Sequence, residues 1–152
     1  MSDFDIAIIG SGPGGYVCAI RAAQLGLSVC CVEKSETLGG TCLNVGCIPS
    51  KSLLHTSYLF KQTKDLNKIG ITVSDVQIDI KKMINSKNES VVGLTDGIKF
   101  LFKKNKIIHK KGFGRIVNSN EIEILSDNNS EIIKAKNIVI ATGSEVSTPK
   151  DI

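Results

Sequence analysis

The residues best suited to chemistry lie between Gly39 and Lys51, GGTCLNVGCIPSK, where Cys42 and Cys47 stand among glycines, a proline and a lysine. A thiol pair at this spacing can be a redox couple, half of a zinc site, a fixed cross-link or two inert core side chains. On an ideal helix, positions five apart are ~8.7 Å apart between Cα atoms. A disulfide wants roughly 4.4–6.8 Å. A regular helix therefore cannot join Cys42 to Cys47. Asn44 and Gly46 tolerate a distorted backbone, and Pro49 withholds an N–H donor. A bond closed across such a turn is expected to be easily reduced. Zinc would need further ligands, and His55 is the only nearby candidate.

The elements that must position this pair come first in the chain. Phe4 to Ile9 reads as a short buried strand. Gly10-Ser11-Gly12-Pro13-Gly14-Gly15 follows at once. Tyr16 to Leu25 reads as a helix with Gly26 as its stop. Ser28 to Val32 reads as a second strand, ended by Glu33. In this strand–GxGxxG–helix–strand–acid order, Gly10 permits a tight turn and Gly12 lets backbone approach a pyrophosphate. Gly15 lets the helix pack close on the strand. The helix N-terminus offers N–H groups and positive dipole to phosphates. Glu33, at the tip of the second strand, is placed to hold ribose hydroxyls. The motif itself does not choose between NAD and FAD, and a Gly-rich surface turn is the plain alternative.

Bulk properties narrow the class. A chain of 152 residues is about one domain, with 41% hydrophobic and 22% charged residues. The net charge of +4 is mild and comes without the groove or lipid anchors of a nucleic-acid or membrane surface, so neither is expected. No apolar run approaches the ~18 residues of a membrane span. The start MSDFDIAIIG carries acids where a targeting peptide carries basic residues, so a soluble, cytoplasmic protein is expected. Five cysteines make an odd count, unlike a fully paired secreted framework. That context also disfavours a merely structural bridge. Cys18, Cys30 and Cys31 read as small core residues. Cys30 and Cys31 point to opposite strand faces and should not pair with each other.

Further along, Lys51 to Leu66 continues as helix, with His55 a packed or surface residue. Asn67 to Ser74 is a turn and a short extended piece. Asp79 to Lys103 is a long amphipathic helix whose apolar face runs through Ile80, Met83, Ile84, Val91, Leu94, Ile98 and Leu101. Gly93 and Gly97 permit close packing on it, and Phe100 and Phe102 fit its packed side. The lysines from Lys99 to Lys111 read as a solvated face near a helix end. Lys106 to His109 is a third strand, broken by Gly112-Phe113-Gly114. Arg115 to Asn118, Glu121 to Leu125 and Glu131 to Lys134 form an antiparallel meander, turned at Asn118-Ser119-Asn120 and Asp127-Asn128-Asn129. Asn137 to Ile140 is a buried strand, followed by the turn Ala141-Thr142-Gly143-Ser144. The fold class is α/β: a Rossmann-like parallel sheet with helices on both faces and a small antiparallel meander.

The segment Gly39 to Lys51, continued by Ser52-Leu53-Leu54, resembles the redox motif of the pyridine nucleotide–disulfide oxidoreductases. Gly10 to Gly15, Glu33, and the later stretch with Leu94, Gly97, Leu101, Asn105 and Gly112 fit the same family. Leu43 and Ile48 are most similar to its branch acting on protein-bound dihydrolipoyl groups. Glutathione and mercuric reductases, a related alternative, typically carry valines there.

The resemblance implies that FAD occupies the glycine site, with NAD as co-substrate bound outside this chain. It implies that Cys42 and Cys47 form the catalytic disulfide, with Cys47 against the flavin and Cys42 as the outer, interchange thiol. Lys51 would tune the flavin. Gly10, Ser11, Gly12, Pro13, Gly14, Gly15, Glu33, Lys34, Gly39, Gly40, Thr41, Cys42 and Lys51 would contact the cofactor. Gly114 would touch its adenine end, and Ala141, Thr142, Gly143 and Ser144 would close the domain against it. No metal is implied.

Residues 1–152 would be the N-terminal part of an FAD domain containing the redox segment 39–51. The NAD and dimerisation domains, and a His–Glu acid/base pair, would lie outside it, so the chain is not expected to be active alone. Lipoyl domains of 2-oxo acid dehydrogenase complexes are the implied partners, with a homodimer at full length. The mitochondrial matrix is the implied location in a eukaryote. A non-catalytic nucleotide-binding module with an inert cysteine pair is the contrasting possibility.

Overall fold

The computed structural model describes residues 3–126 and 129–149. Asp127 and Asn128 of the expected meander turn lie outside the described residues. The chain divides into two compact units, Met1–Gly40 with Ile98–Ile152, and Thr41–Gly97.

In the first unit, β1 (Phe4–Ile9) leads through the glycine loop into α1 (Pro13–Gln24), and β2 (Val29–Glu33) follows. Helix α1 starts three residues earlier than its apolar pattern suggests. Gly12 is its N-cap and Pro13 occupies the first turn, where a missing N–H costs nothing. Gly26 ends it in the left-handed region at φ 89°. There Gly26 N–H donates to the Ala23 carbonyl and Leu27 N–H to that of Ala22, the paired bonds of a Schellman cap.

After the second unit the chain returns through the end of the long helix. It then forms β3 (Ile108–Lys111), β4 (Phe113–Asn118), β5 (Glu121–Ser126) and β6 (Asn129–Ile140). The third strand is shifted towards Lys111 relative to its expected span, and Gly112 separates it from β4. The meander strand and the last strand, expected apart, are one twelve-residue strand. Its first half pairs antiparallel with β5 and its second half parallel with β1. The order is β3-β2-β1-β6-β5-β4. Strands β3, β2, β1 and the end of β6 run parallel, as a Rossmann-like fold requires.

Alternation across the strands sorts the core. Ala7, Ile9, Cys30 and Val32 share one face and pack with Ile122, Ile124, Ile133 and Ala135 of the meander. Ile8 and Cys31 point the other way and are fully buried, as are Ala19 of α1 and Leu38 to within 1%. Gly114 belongs to the meander face. A Cβ there would sit 3.0 Å from Ile9 Cγ2 and 3.3 Å from Val32 Cγ1. Contrary to expectation, Asn137 to Ile140 is not a buried strand. Ile138 and Val139 are half-buried, and Ile140 is 67% exposed. The reason is topological: beyond Lys134, β6 has β1 on one side and has left β5 on the other.

The second unit is helical, with α2 (Gly40–Asn44) at its entry, then α3 (Cys47–Thr63), a short 3-10 turn over Leu66–Ile69, and α4 (Ile80–Lys104), which runs on into the first unit. Helix α3 carries the expected helix through Lys51 and ends at Thr63, three residues before the expected Leu66. The stretch 71–79 carries no regular structure. The expected apolar face of α4 is only partly covered. Ile98 is buried, but Ile80, Ile84, Leu94 and Leu101 are exposed. The buried line runs instead through Thr95, Ile98 and Phe102, at helical spacing, while Phe100 faces out. Nothing among the described residues lies within 4 Å of a Cβ at Gly93 or Gly97, so neither marks a close approach.

Candidate functional site

The glycine loop joins β1 to α1 at the carboxyl end of the parallel strands, where open α/β sheets bind ligands. Two of its glycines are required by the protein's own backbone. At Gly10, φ is +100° and a Cβ would lie 2.3 Å from the Ala141 carbonyl oxygen. At Gly15 a Cβ would lie 1.9 Å from the Gly10 oxygen. The other two face room. A Cβ at Gly12 would meet only Gly40 Cα, at 4.0 Å, and one at Gly14 would meet nothing within 4 Å. The loop is thus held tightly against main chain at Gly10 and Gly15 and is uncrowded at Gly12 and Gly14. Pro13 sits at the α1 start. Gly39 N–H donates to the Ser11 carbonyl at 3.0 Å, and Gly40 sits so close to Gly12 that a Cβ on it would fall 2.6 Å from Gly12 Cα.

Glu33 is the last residue of β2 and is 7% exposed. Its Oε2 accepts from the Ser11 backbone N–H at 2.8 Å and from the Ser11 hydroxyl at 2.6 Å. Its Oε1 accepts from the Ser35 N–H at 2.8 Å. Burial pushes the Glu33 carboxyl up, but the bonds from Ser11 and Ser35 outweigh it and hold the group below its ordinary value. Glu33 is therefore an anion kept among polar donors at the mouth of the loop. Ser35 was not anticipated from the sequence.

Around this pair, Lys34 is ion-paired with Glu145, which raises the lysine and lowers the glutamate. Glu145 was also not anticipated. The Ala141 N–H donates to the Ile9 carbonyl at 2.8 Å and carries β6 over the loop. Thr142, Gly143 and Ser144 follow, exposed, with Gly143 at φ +74°. His109, on β3, is lowered by burial and by Lys99, against the opposing pull of Glu33.

In the second unit, Cys42 and Cys47 form a disulfide with Cα atoms 4.7 Å apart. The backbone breaks where the geometry demanded: α2 ends at Asn44 and α3 begins at Cys47, with Val45 and Gly46 between them. Both Val45 and Gly46 donate N–H to the Thr41 carbonyl, at 3.0 and 2.8 Å, which closes the turn. A cross-link excludes two separate inert thiols and a zinc half-site. Cys47 is the first residue of α3, so a thiolate formed there meets the positive end of the helix. Lys51 lies one turn on, on the same face. Cys47 is exposed and Cys42 half-buried, the reverse of what an outer Cys42 would suggest in isolation. Thr41, Lys51 and His55 are exposed.

The other cysteines are free. Burial pushes the thiols of Cys30 and Cys31 up to about 12, so both are inert. Cys30 belongs to the meander face, while Cys31 reaches the Gly10 carbonyl at 3.8 Å, so the two do point apart. Cys18 is half-buried on α1.

Residues 4–152 match the pyridine nucleotide-disulphide oxidoreductase family. The chain belongs to that family. It is 53% identical over 148 residues to the mitochondrial dihydrolipoyl dehydrogenase of Mesocricetus auratus and 51% identical to that of Homo sapiens. Those alignments cover 95% of this chain and 31% and 29% of the relatives, so the chain spans under a third of their length. Among solved structures, the Cu(II) complex of the HOCl-induced flavoprotein disulfide reductase RclA from Escherichia coli superposes with a TM-score of 0.81 at 27% identity. It covers 99% of this chain and 31% of that one. No helix among the described residues is long and apolar enough to cross a membrane.

Proposed function

We propose that this chain is the N-terminal, flavin-holding part of a dihydrolipoyl dehydrogenase. The observation that carries the proposal is the Cys42–Cys47 disulfide, closed across the break between α2 and α3 in a chain of this family. Protein-bound dihydrolipoyl groups are the substrate. Their two thiols exchange with the Cys42–Cys47 bond, leaving a lipoyl disulfide and two reduced cysteines. Cys42 is the interchange thiol, and Cys47 is the one held as thiolate by the α3 N-terminus and Lys51. FAD, when bound, supplies the two-electron relay from the cysteine pair to NAD⁺.

The residues present fit FAD. Gly12 and Gly14 leave space for the pyrophosphate, and the α1 N-terminus faces it. Glu33 accepts from ribose hydroxyls. Lys34, Gly39, Gly40, Gly114 and the segment Ala141 to Ser144, in the same unit as the loop, would hold the cofactor as the family resemblance implies, and Thr41, Cys42 and Lys51 are the residues the resemblance assigns to it from the second unit. The exposure of Cys47 suits a thiol that a flat ring would cover. Residues 1–152 then form one part of the flavin domain. NAD and dimerisation domains lie elsewhere in a homodimeric protein that serves 2-oxo acid dehydrogenase complexes. Its location is the mitochondrial matrix or the cytoplasm, according to the organism.

The test uses the full-length protein. It should be yellow, develop long-wavelength absorbance on two-electron reduction, and oxidise dihydrolipoamide with NAD⁺. Cys42→Ser and Cys47→Ser should each abolish turnover while leaving flavin bound. Colourless protein would overturn the proposal. So would a strong preference for glutathione disulfide or mercuric ion as oxidant.

A further inference from the structure

We infer that Ser11 is a positioning residue: its hydroxyl is engaged on Glu33, so that it orders and ionises the ribose-binding carboxylate instead of touching the nucleotide itself. The inference deepens the proposed flavin site and rests on that reading for its ligand. The geometry supporting it lies within one unit. Ser11 is fully buried, and its hydroxyl and N–H both point to the same oxygen of Glu33, at 2.6 and 2.8 Å. Its own carbonyl accepts from Gly39 N–H at 3.0 Å, so the residue is fixed at both ends. A side chain so placed has no surface to offer a ligand.

The consequence for Glu33 is specific. A carboxylate has about four acceptor positions. Ser11 takes two on Oε2, and Ser35 engages the carboxylate through its N–H on Oε1 and through its hydroxyl, so the orientation of the group is set by these two serines. Glu33 must also stay ionised to accept. Bonds to a carboxylate favour its charged form, and the two from Ser11 include the shorter. Removing the hydroxyl therefore leaves Oε2 held by the Ser11 N–H alone and moves the carboxyl towards protonation. The groups that sense Glu33 are Lys34 beside it, Cys31 on the same strand and His109 on β3. Cys31 does not titrate near neutrality, and Lys34 stays charged. His109 is the group whose titration overlaps, so the measurements belong in a His109→Gln background.

The experiment has two readouts on the full-length protein. The first is the Glu33 carboxyl titration followed by carbon NMR after flavin is stripped. Ser11→Ala should raise its midpoint by about one pH unit, the scale of one charge-assisted bond. The second is FAD affinity against pH, with a double-mutant cycle. Ser11→Ala should weaken FAD about tenfold at neutral pH and move the acid limb upward, whereas Glu33→Gln should remove that limb. In the Glu33→Gln background, Ser11→Ala should cost less than threefold. An equal tenfold loss in both backgrounds would show that Ser11 contacts the nucleotide directly, and would overturn the inference. An unmoved Glu33 midpoint would overturn it too. If the wild type binds no FAD but the midpoint still moves, the flavin reading fails and the Ser11–Glu33 coupling stands.

Discussion

Replacing Gly15 by alanine tests the packing that places the glycine loop. The new Cβ would lie 1.9 Å from the Gly10 carbonyl oxygen and 2.8 Å from its carbon. A carbon and a carbonyl oxygen rest comfortably at roughly 3.3 Å or more, so about 1.4 Å must be found by moving α1 or the loop. Neither moves freely. Gly10 N–H is bonded to the Val32 carbonyl at 2.8 Å, and the neighbouring Ile9 carbonyl holds Ala141 N–H at 2.8 Å. The obstacle is backbone, with no flexible side chain to yield. Overpacking costs typically about 1–3 kcal/mol, and a clash between main chains belongs at the top of that range, about 3 kcal/mol. In a chain of this size, that lowers the melting midpoint by about 9 °C. Gly14→Ala is the internal control. Nothing lies within 4 Å of its Cβ, and alanine in a helical turn is favoured over glycine by up to about 1 kcal/mol. Urea and thermal unfolding of both variants give the comparison. A Gly15→Ala loss below about 0.5 kcal/mol would refute the account of why that glycine is needed.

Further outcomes follow from the thiols and carboxylates. Ellman titration of the folded chain should show two additional reactive thiols after mild reduction, from Cys42 and Cys47, while Cys30 and Cys31 react only on denaturation; early reaction of either strand cysteine would contradict their burial. Cys30 and Cys31 are raised from 9.0 to about 12 in the folded chain, so the unfolded chain loses those protons first as pH rises. Their contribution is fully present below pH 9 and is lost between pH 9 and 12, at about 1.4 kcal/mol per pH unit for each thiol. Cys31→Ala should remove one such increment from the alkaline slope. Asp5 is held well below the carboxylate range by Lys136 and by the N–H and hydroxyl of Ser28, and Glu33 is held low by Ser11 and Ser35. Their stabilisation is present above the unfolded carboxylate value and lost as pH falls through the folded one. Asp5→Asn should therefore lower stability at neutral pH and flatten the acid limb in a urea-midpoint series from pH 7 to 3; an unchanged limb would discount the Asp5–Ser28–Lys136 clip.

The elements around the glycine loop were legible because local rules and tertiary packing agree there. The apolar run Phe4 to Ile9, the spaced glycines and Glu33 each needed one conformation, and the fold supplied it. Once the resemblance pairs Cys42 with Cys47, the break between them follows from distance. The long helix was less legible. Its alternation marks Ile80, Met83, Ile84, Leu94 and Leu101 as one face, but periodicity records which residues could be buried together, not which of them find a neighbour. Thr95, a polar residue at the right angle, is buried at 3% and bonds its hydroxyl to the Val92 carbonyl instead. The merging of Glu131–Lys134 with Asn137–Ile140 into one strand was hidden for a related reason. Lys136 and Asn137 interrupt the apolar pattern, yet Ala135, in step with Ile133 and buried, is where β6 passes from β5 to β1, pairing with Phe4.

A glycine signature is often taken whole as evidence of a ligand, but here its members testify to different things. Gly10 and Gly15 are explained by the protein alone: any side chain there would strike the main chain, bound nucleotide or not. Gly12 and Gly14 have no such explanation, because the space above them is open. Glu33 points the same way. Placing a carboxylate at 7% exposure costs desolvation that an apolar side chain would avoid, and three donors must be arranged to offset it. A loop serving only to turn the chain would gain nothing from that anion. Open glycines beside a buried, hydrogen-bonded acid are thus the part of this fold that packing leaves unaccounted for, and the phosphorylated ribose of the proposed flavin nucleotide would account for both at once.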